Sequence, residues 1–207
     1  MARRHELLMG KTKEILPPEG YRFIEYAKNA DTGNSYINLP YGFDDTDTLE
    51  VKGGLSFVAS GWESWLVGSK TWNNNTNRLG FFGMSASKFT FCFGNLGSPN
   101  SDTIPQLAAD TDVHVMKYSN RLFEIIDLNA HCDVSNKLFG GTTDKLRLYY
   151  GYAQTRGKIY YFKQTKLNGD ELYILPVENV ETGTVEMYDT VSKTIMERVG
   201  TLSAPQE

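Results

Sequence analysis

The residues of this chain best suited to binding chemistry are tryptophans and asparagines that lie close together in the sequence. Flat indole faces and amide groups can jointly hold a sugar, through ring stacking and hydrogen bonds. Trp65, between Ser64 and Leu66, is predicted to pack in the core instead, whereas Trp72 lies next to an asparagine loop and is the better surface candidate. The candidate glycan-binding residues are Trp62, Trp72, Asn73, Asn74, Asn75 and Asn77.

Carboxylates could make the chain a glycosidase, but the sequence shows no suitable pair. Retaining glycosidases hold two carboxyl groups about 5–5.5 Å apart, as alternate positions of one strand allow. Glu63 and Glu171 each lack an acidic residue two positions away, and the spacing of Glu124 and Asp127 predicts opposite faces of a strand. His114 lies in an apolar run and is predicted to be structural. We therefore predict no catalytic residues and no enzyme.

Metal and nucleotide sites are not predicted either. The loop Asp44-Asp45-Thr46-Asp47 offers oxygen ligands of the kind calcium prefers, but solvated turn carboxylates explain it as well. The neighbours His131, Cys132 and Asp133 cannot all face one zinc ion from a strand, so we interpret them as a turn with the cysteine inward. Gly10-Lys11-Thr12 lacks the earlier glycine of a phosphate-binding loop. The sequence predicts no metal and no cofactor.

Charge and hydropathy exclude further classes of function. The formal net charge of −4 and the sequence pI of about 5.5 argue against a nucleic-acid partner. No apolar run reaches the roughly 20 residues of a spanning helix, and the first residues lack the hydrophobic core of a signal peptide. We predict neither membrane insertion nor export. Cys92 and Cys132 are predicted to be buried thiols rather than a disulfide.

Short extended runs separated by turn residues must position these side chains. A chain of 207 residues can form one β-sandwich that buries about 70% of the unfolded chain's surface. Residues 104–110 favour helix and predict one helical turn in a loop. The rest of the pattern predicts an all-β fold. The extended runs are 21–26, 36–39, 49–51, 55–59, 65–67, 78–82, 88–93, 112–118, 122–128 and 146–150, followed by a closing block over 157–193.

The closing block has the most informative pattern. Ile159 to Phe162 is a β-branched and aromatic run with apolar side chains on both faces, which predicts a strand covered on both sides. Asn168-Gly169 predicts a two-residue hairpin turn with positive φ angles. Pro176 cannot donate to a strand ladder, and Glu181-Thr182-Gly183 predicts another turn. These features predict a hairpin inside a sandwich.

Several of these segments resemble a known family. Lys158 to Tyr160, Leu175 to Val177 and Gly183 to Asp189 are similar to the closing strands of concanavalin-A-like, LamG-type jelly-roll domains, which occur in phage virion proteins and gut-bacterial surface proteins. Leu16 to Tyr21 and Ser35 to Asn38 resemble the opening segments of these domains. The resemblance covers roughly residues 16–195 and implies an antiparallel, jelly-roll β-sandwich. Because the matching positions are mostly structural, it indicates a fold more directly than an activity.

A basic segment precedes the sandwich and is predicted to dock onto a neighbouring subunit. Its apolar cluster is too small to bury against a core by itself. The predicted layout is an arm over 1–15, a sandwich over 16–200 and a C-terminal tail over 201–207. The predicted docking residues are Arg3, Arg4, Leu7, Leu8, Met9, Lys11 and Lys13.

The resemblance implies a non-enzymatic structural protein of a phage virion: a head fibre, a capsid decoration or a tail-associated adhesion module that contacts glycan on the host surface. It further implies a homo-oligomer assembled in the host cytoplasm, with other virion subunits and host polysaccharide as partners. Two alternatives stay open. A secreted carbohydrate-binding lectin would use the tryptophan and asparagine stretch, and a glycoside hydrolase would use Glu63 or Glu171.

Overall fold

The computed structural model describes residues 14–29, 35–57, 64–69, 79–85, 88–95, 98–108, 110–135, 145–149 and 156–205. Regular structure in these ranges is almost entirely β-strand, with one 3₁₀ turn at Ile126–Leu128. The strands are β1 (Tyr21–Phe23), β2 (Ala27–Asn29), β3 (Tyr36–Asn38), β4 (Thr48–Phe57), β5 (Ser64–Ser69), β6 (Leu79–Ser85), β7 (Lys88–Asn95), β8 (Ser98–Ala108), β9 (His114–Ser119), β10 (Leu122–Ile125), β11 (Ala130–Asp133), β12 (Leu146–Leu148), β13 (Arg156–Thr165), β14 (Glu171–Asn179), β15 (Val185–Asp189), β16 (Thr194–Ile195), β17 (Arg198–Val199) and β18 (Leu202–Ser203).

The strands form two sheets that pack as a sandwich. The larger sheet has the order β11-β10-β9-β4-β13-β14-β15-β16, with β1 beside β14, β2 beside β13 and β18 beside β2. The smaller sheet has the order β17-β3-β12-β5-β6-β7-β8. The pairings are antiparallel. The predicted all-β antiparallel sandwich is confirmed, and it is consistent with a jelly roll. The short strand β18 lies inside the segment 201–207 that the sequence predicted as a tail.

The core lies between the sheets and is lined by alternate residues of the central strands. In β9, His114, Met116 and Tyr118 point inward and are buried, whereas the residues between them are partly exposed. Phe162 of β13 and Leu66 of β5 are fully buried from opposite sheets. Burying such an apolar side chain contributes about 1.5–3 kcal/mol. The same alternation leaves the outer face of the larger sheet partly exposed.

The strand β4 runs unbroken through Gly53 and Gly54, where the sequence predicted a break between two extended runs. A Cβ atom on Gly53 would lie 2.5 Å from the carbonyl oxygen of Lys158 and 3.1 Å from Leu66 Cδ1. A Cβ atom on Gly54 would clash with the carbonyl oxygen of Asp112. The two glycines therefore permit the close approach of neighbouring backbone rather than a turn.

The hairpin between β13 and β14 differs from the prediction in the length of its loop. The amide of Lys166 donates to the carbonyl of Asp170 at 2.9 Å, so Leu167, Asn168 and Gly169 form a three-residue loop. Gly169 has a φ of +88°, whereas Asn168 has no positive φ. Such a loop is typically a type I turn followed by a left-handed glycine. The predicted turn is therefore in the right place, but the prediction of two residues was wrong.

Pro176 lies inside β14 at the point where this strand changes its neighbour. Before the proline, Ile174 pairs with Phe162 of β13, and after it, Val177 pairs with Phe23 of β1. The carbonyl of Pro176 accepts a hydrogen bond from the amide of Ile24 at 3.2 Å. The missing N–H thus falls between two partner strands, where an interior strand tolerates proline.

Three further local predictions were wrong. Residues 104–108, predicted as part of a helical turn, belong to β8, because pairing with β7 outweighs a weak helix propensity. Residues 126–128, predicted as strand, form the 3₁₀ turn. His131 to Asp133, predicted as a turn, lie in β11. There Cys132 is a thiol that packs against the core, while His131 and Asp133 are exposed on the other face.

Candidate binding face

The side chains predicted to bind glycan or to dock a partner lie outside the described residues. Trp65 is described, and it is fully buried in β5, as predicted. The described part of the chain offers a different candidate, on the outer face of the larger sheet. The predicted binding and docking residues that lie outside the described ranges are Trp62, Trp72, Asn73, Asn74, Asn75, Asn77, Arg3, Arg4, Leu7, Leu8, Met9, Lys11 and Lys13.

A β-bulge in β13 turns two consecutive tyrosines toward the outside. Ile159 pairs with Gly53 and Tyr161 pairs with Lys52, so Tyr160 is an extra residue in β13. Ile159 on one side of the bulge and Phe162 on the other are both fully buried, whereas Tyr160 and Tyr161 are partly exposed. The prediction that this run is covered on both sides was wrong, because the bulge places its two tyrosines on the same face.

Strand pairing aligns lysines and further tyrosines beside this bulge. Lys163 pairs with Tyr173 on one side and with Glu50 on the other. On β2, Lys28 pairs with Lys158. Neighbouring strands of a sheet lie about 4.8 Å apart, so the outward side chains of adjacent strands recur at this spacing. We name this surface the tyrosine–lysine face, formed by Tyr26, Tyr160, Tyr161, Tyr173, Lys28, Lys52, Lys158 and Lys163.

The aromatic rings of the tyrosine–lysine face contact one another and the lysines. The ring centroids of Tyr26 and Tyr160 are 5.2 Å apart. Lys52 Nζ lies 4.9 Å from the Tyr160 centroid, and Lys158 Nζ lies 4.8 Å from that of Tyr26. At these distances an ammonium group is attracted to the face of an aromatic ring. The face therefore presents cations held over tyrosine rings rather than isolated lysines.

A second group on the face is built in the same way around Lys163. Its ammonium nitrogen lies 5.0 Å from the ring centroids of Tyr161 and Tyr173. Glu50 accepts a hydrogen bond from the Tyr161 hydroxyl at 2.9 Å, and its distance to Lys163 Nζ is 3.5 Å. Burial raises the pKa of Tyr161, and the hydrogen bond to Glu50 and its charge raise it further. The Tyr161 hydroxyl is therefore a proton donor at any physiological pH.

Positive charge exceeds negative charge on the tyrosine–lysine face. Burial is the main cause of a raised pKa at Tyr160, and the charge of nearby Glu25 adds to it. Glu50 is already engaged by Tyr161 and Lys163. Within the described ranges, ion pairs form at Lys163 but not at the other lysines of the face, which are Lys28, Lys52 and Lys158. This surface is thus locally basic on a chain whose net charge is −4.

The sequence contains a weak signal for this face, but a prediction from the alternation of apolar and polar side chains does not detect it. Lysines flank the Tyr160-Tyr161 pair at Lys158 and Lys163, and a polar flank is unusual for a strand covered on both sides. An extra residue in the strand explains why an apolar run with side chains on both faces is nevertheless flanked by lysines. Which residue is extra depends on the pairing with Lys52, more than a hundred positions away, and no local pattern reports it.

Of the carboxylates considered for hydrolysis, Glu63 lies outside the described residues, and the other three lie on different elements. Glu171 is exposed at the start of β14, and Glu124 is in β10, opposite Lys117 and His131. Asp127 lies in the 3₁₀ turn, where it binds His114. The expected placement of Glu124 and Asp127 on one strand was therefore wrong.

His114 is held between two carboxylates at the start of β9. Its Nδ1 atom lies 2.7 Å from Asp127 Oδ2, and its Nε2 atom lies 2.8 Å from Asp110 Oδ1. The side chain is 5% exposed, with Phe89 edge-on at 5.4 Å between ring centroids. Burial alone lowers the pKa of His114, but the hydrogen bonds and charges of Asp127 and Asp110 outweigh it and raise the pKa. Both ring nitrogens are occupied, which fits a structural role.

The prediction of solvated carboxylates in the acidic loop that precedes β4 was wrong for Asp47, which is buried and paired with a lysine. Asp47 is 1% exposed, and its Oδ2 atom accepts hydrogen bonds from Lys166 at 2.9 Å and from Gln164 at 3.0 Å. Asp45 forms an ion pair with Arg121. The described residues contain no group of three or more His, Cys, Asp or Glu that could hold a metal ion.

Among the helical segments that the structure describes, none has the length and apolar character needed to cross a bilayer. No protein-family model, curated protein or solved structure matches the chain. The resemblance to concanavalin-A-like domains therefore stays a prediction from the sequence.

Proposed function

We propose that this chain is a non-enzymatic structural module of a phage-like virion, a head fibre, a capsid decoration or a tail-associated adhesion protein, that contacts polysaccharide on a host surface. The virion assignment depends on the resemblance of the opening and closing segments to phage jelly-roll domains. The binding role depends on the structure of the larger sheet.

The observation that carries the binding role is the bulge at Tyr160. Side chains that only solubilise a sheet need no aromatic rings, yet here an extra residue turns two adjacent tyrosines outward beside lysines. Tyrosine offers a sugar an apolar ring face and a hydroxyl that hydrogen-bonds. Sugar contact on this face extends the binding surface beyond the tryptophan and asparagine stretch.

The virion role is tested by removing the predicted arm. A chain without residues 1–14 should fold but fail to enter purified particles, because the basic and apolar arm residues would dock on an acidic neighbouring subunit. Mass spectrometry of purified particles measures incorporation of the full and shortened chains. Equal incorporation of both would remove the arm from the mechanism, and absence of the full chain from particles would favour the secreted lectin.

The enzymatic alternative is tested on the same preparation. Release of reducing sugar from a bound polysaccharide, abolished by Glu171→Gln, would replace the binding role with hydrolysis. Glu171 is exposed, and Glu63 is the other candidate for hydrolysis. The assay therefore includes Glu171→Gln and Glu63→Gln.

A further inference from the structure

We infer that the tyrosine–lysine face recognises an acidic polysaccharide, one whose sugars carry carboxylate groups, rather than a neutral glycan. This inference rests on the proposed glycan contact and specifies the chemistry of the ligand. It follows from the charge of the face, from the position of its cations over tyrosine rings and from the regular spacing of its rows.

Two lysines of the face lack a carboxylate partner among the described residues. In the described part of the chain, Glu50 engages Lys163, but Lys52 and Lys158 form no ion pair and lie only over tyrosine rings. A cation–π contact leaves the ammonium N–H groups available for other acceptors. A ligand carboxylate would accept these N–H groups in charge-assisted hydrogen bonds. A neutral glycan would leave them unused.

The tyrosine rings of the face suit a sugar rather than a simple anion. Lys158 lies over Tyr26, Lys52 lies over Tyr160, and the two rings contact each other at 5.2 Å. An acidic sugar could therefore place its ring beside tyrosine while its carboxylate reaches a lysine. The second group, formed by Lys163 with Tyr161 and Tyr173, repeats this combination further along β13. Repeated pairs of a ring and a cation suit a polymer with a repeated acidic sugar.

The test measures binding of the full chain to polygalacturonate and to neutral dextran of similar length. Polygalacturonate should bind at least about tenfold more tightly, a difference of about 1.4 kcal/mol. Its affinity should fall as salt screens the exposed charges, whereas any dextran binding should be insensitive to salt. The double variant Lys52→Gln/Lys158→Gln should lose most of the preference.

A matched control removes the same charge elsewhere. Lys145 and Lys193 are exposed and lie outside the face, so Lys145→Gln/Lys193→Gln should keep the binding of the wild type. An equal loss in both double variants would show attraction to net charge only and would overturn the inference. Unchanged thermal unfolding of the Lys52/Lys158 variant shows that its fold is intact.

Two other outcomes overturn the inference and separate it from the proposed function. Equal binding of dextran and polygalacturonate, both reduced by Tyr160→Ala, would keep glycan contact but remove the preference for acid. Equal binding of poly-glutamate and polygalacturonate, both lost in the Lys52/Lys158 variant, would show a dock for acidic protein. If no glycan binds, the glycan contact of the proposed function fails as well, while incorporation into particles still tests the virion role.

Discussion

His114 is the residue whose surroundings the sequence describes least well. The apolar run predicted a structural histidine but not its partners, which are Asp110 in the loop before β9 and Asp127 in the 3₁₀ turn. Two carboxylate partners require both nitrogens to donate, so the ring is a cation at low pH. Its charge therefore holds the loop before β9 and the 3₁₀ turn at the start of β9.

We predict that the contacts of His114 with Asp110 and Asp127 weaken as the pH rises. The pKa of His114 is raised above its ordinary value of 6.5, so its stabilisation is fully present below that value and is lost as the pH rises through the folded pKa. His114→Gln should cost about 1–3 kcal/mol at low pH and less in alkaline buffer. Urea unfolding at both pH values measures the difference, with exposed His131→Gln as control. A cost that does not change with pH would contradict the prediction.

The buried ion pair of Asp47 and Lys166 is a second residue-scale feature. Asp47 is almost fully buried and Lys166 is 23% exposed, and Gln164 adds a hydrogen bond from β13. A carboxylate that has been removed from water is costly unless it is paired. The pair therefore fixes the loop before β4 onto the end of β13.

Loss of the lysine should be far more costly than loss of an exposed one. We predict that Lys166→Gln destabilises the fold by about 3 kcal/mol, because Asp47 then keeps a buried charge without its cation. Lys163→Gln, at the exposed pair with Glu50, should cost no more than about 1 kcal/mol. Urea unfolding measures both. Part of the loss should return in Lys166→Gln/Asp47→Asn, and equal effects of the two single changes would refute the assignment.

At the scale of elements, the bulge in β13 decides which side chains the larger sheet presents. A regular strand would send Tyr160 and Tyr161 to opposite faces, and one of them would enter the core. The extra residue keeps Ile159 and Phe162 inside and both tyrosines outside. The binding face thus depends on a single insertion in a strand.

Deleting residues separates this bulge from regular pairing. Without Tyr160, Ile159 still faces Gly53 and Tyr161 still faces Lys52, so we predict a folded domain that loses no more than about 2 kcal/mol. Deleting Lys163 instead shifts a regular part of β13 and turns buried Gln164 outward, which should cost more than about 4 kcal/mol. Urea unfolding compares the two deletions. Equal costs would show that Tyr160 is not an extra residue.

At the scale of the whole molecule, the centre of the larger sheet joins distant parts of the chain. The strands β4 and β13 pair along most of their length, and Glu50 and Tyr161 are 111 positions apart in sequence. Loop closure over such a distance is entropically costly before any contact forms. The sheet therefore cannot be completed until the last quarter of the chain is present.

Two consequences can be measured. Refolding should be slow, on the order of milliseconds to seconds or longer, as for other sandwiches dominated by distant contacts. A chain that ends at residue 155 lacks β13 and should show no cooperative unfolding in urea, whereas the full chain should. A cooperative transition in the shortened chain would mean that its strands form a stable unit without the centre of the larger sheet.

The sequence by itself determined the class of fold and the position of most strands. Alternating apolar residues in 112–118 predicted β9, and turn residues located the hairpins near Gly169 and Gly183. These signals are local, because side-chain alternation and the freedom of glycine to adopt positive φ depend only on neighbouring residues.

Tertiary structure decided the register, and with it the candidate site. The sequence predicted a break at Gly53 and Gly54, but the structure shows that neighbouring backbone packs against them. Tyr160 is an extra residue only because of the pairing of β13 with β4. Likewise, the carboxylates that hold His114 come from two separate connections. The glycine contacts and the bulge are relations between segments that are distant in sequence, and the contact of His114 with Asp127 depends on how the chain folds back 13 positions later, so these features exist only once the strands have paired.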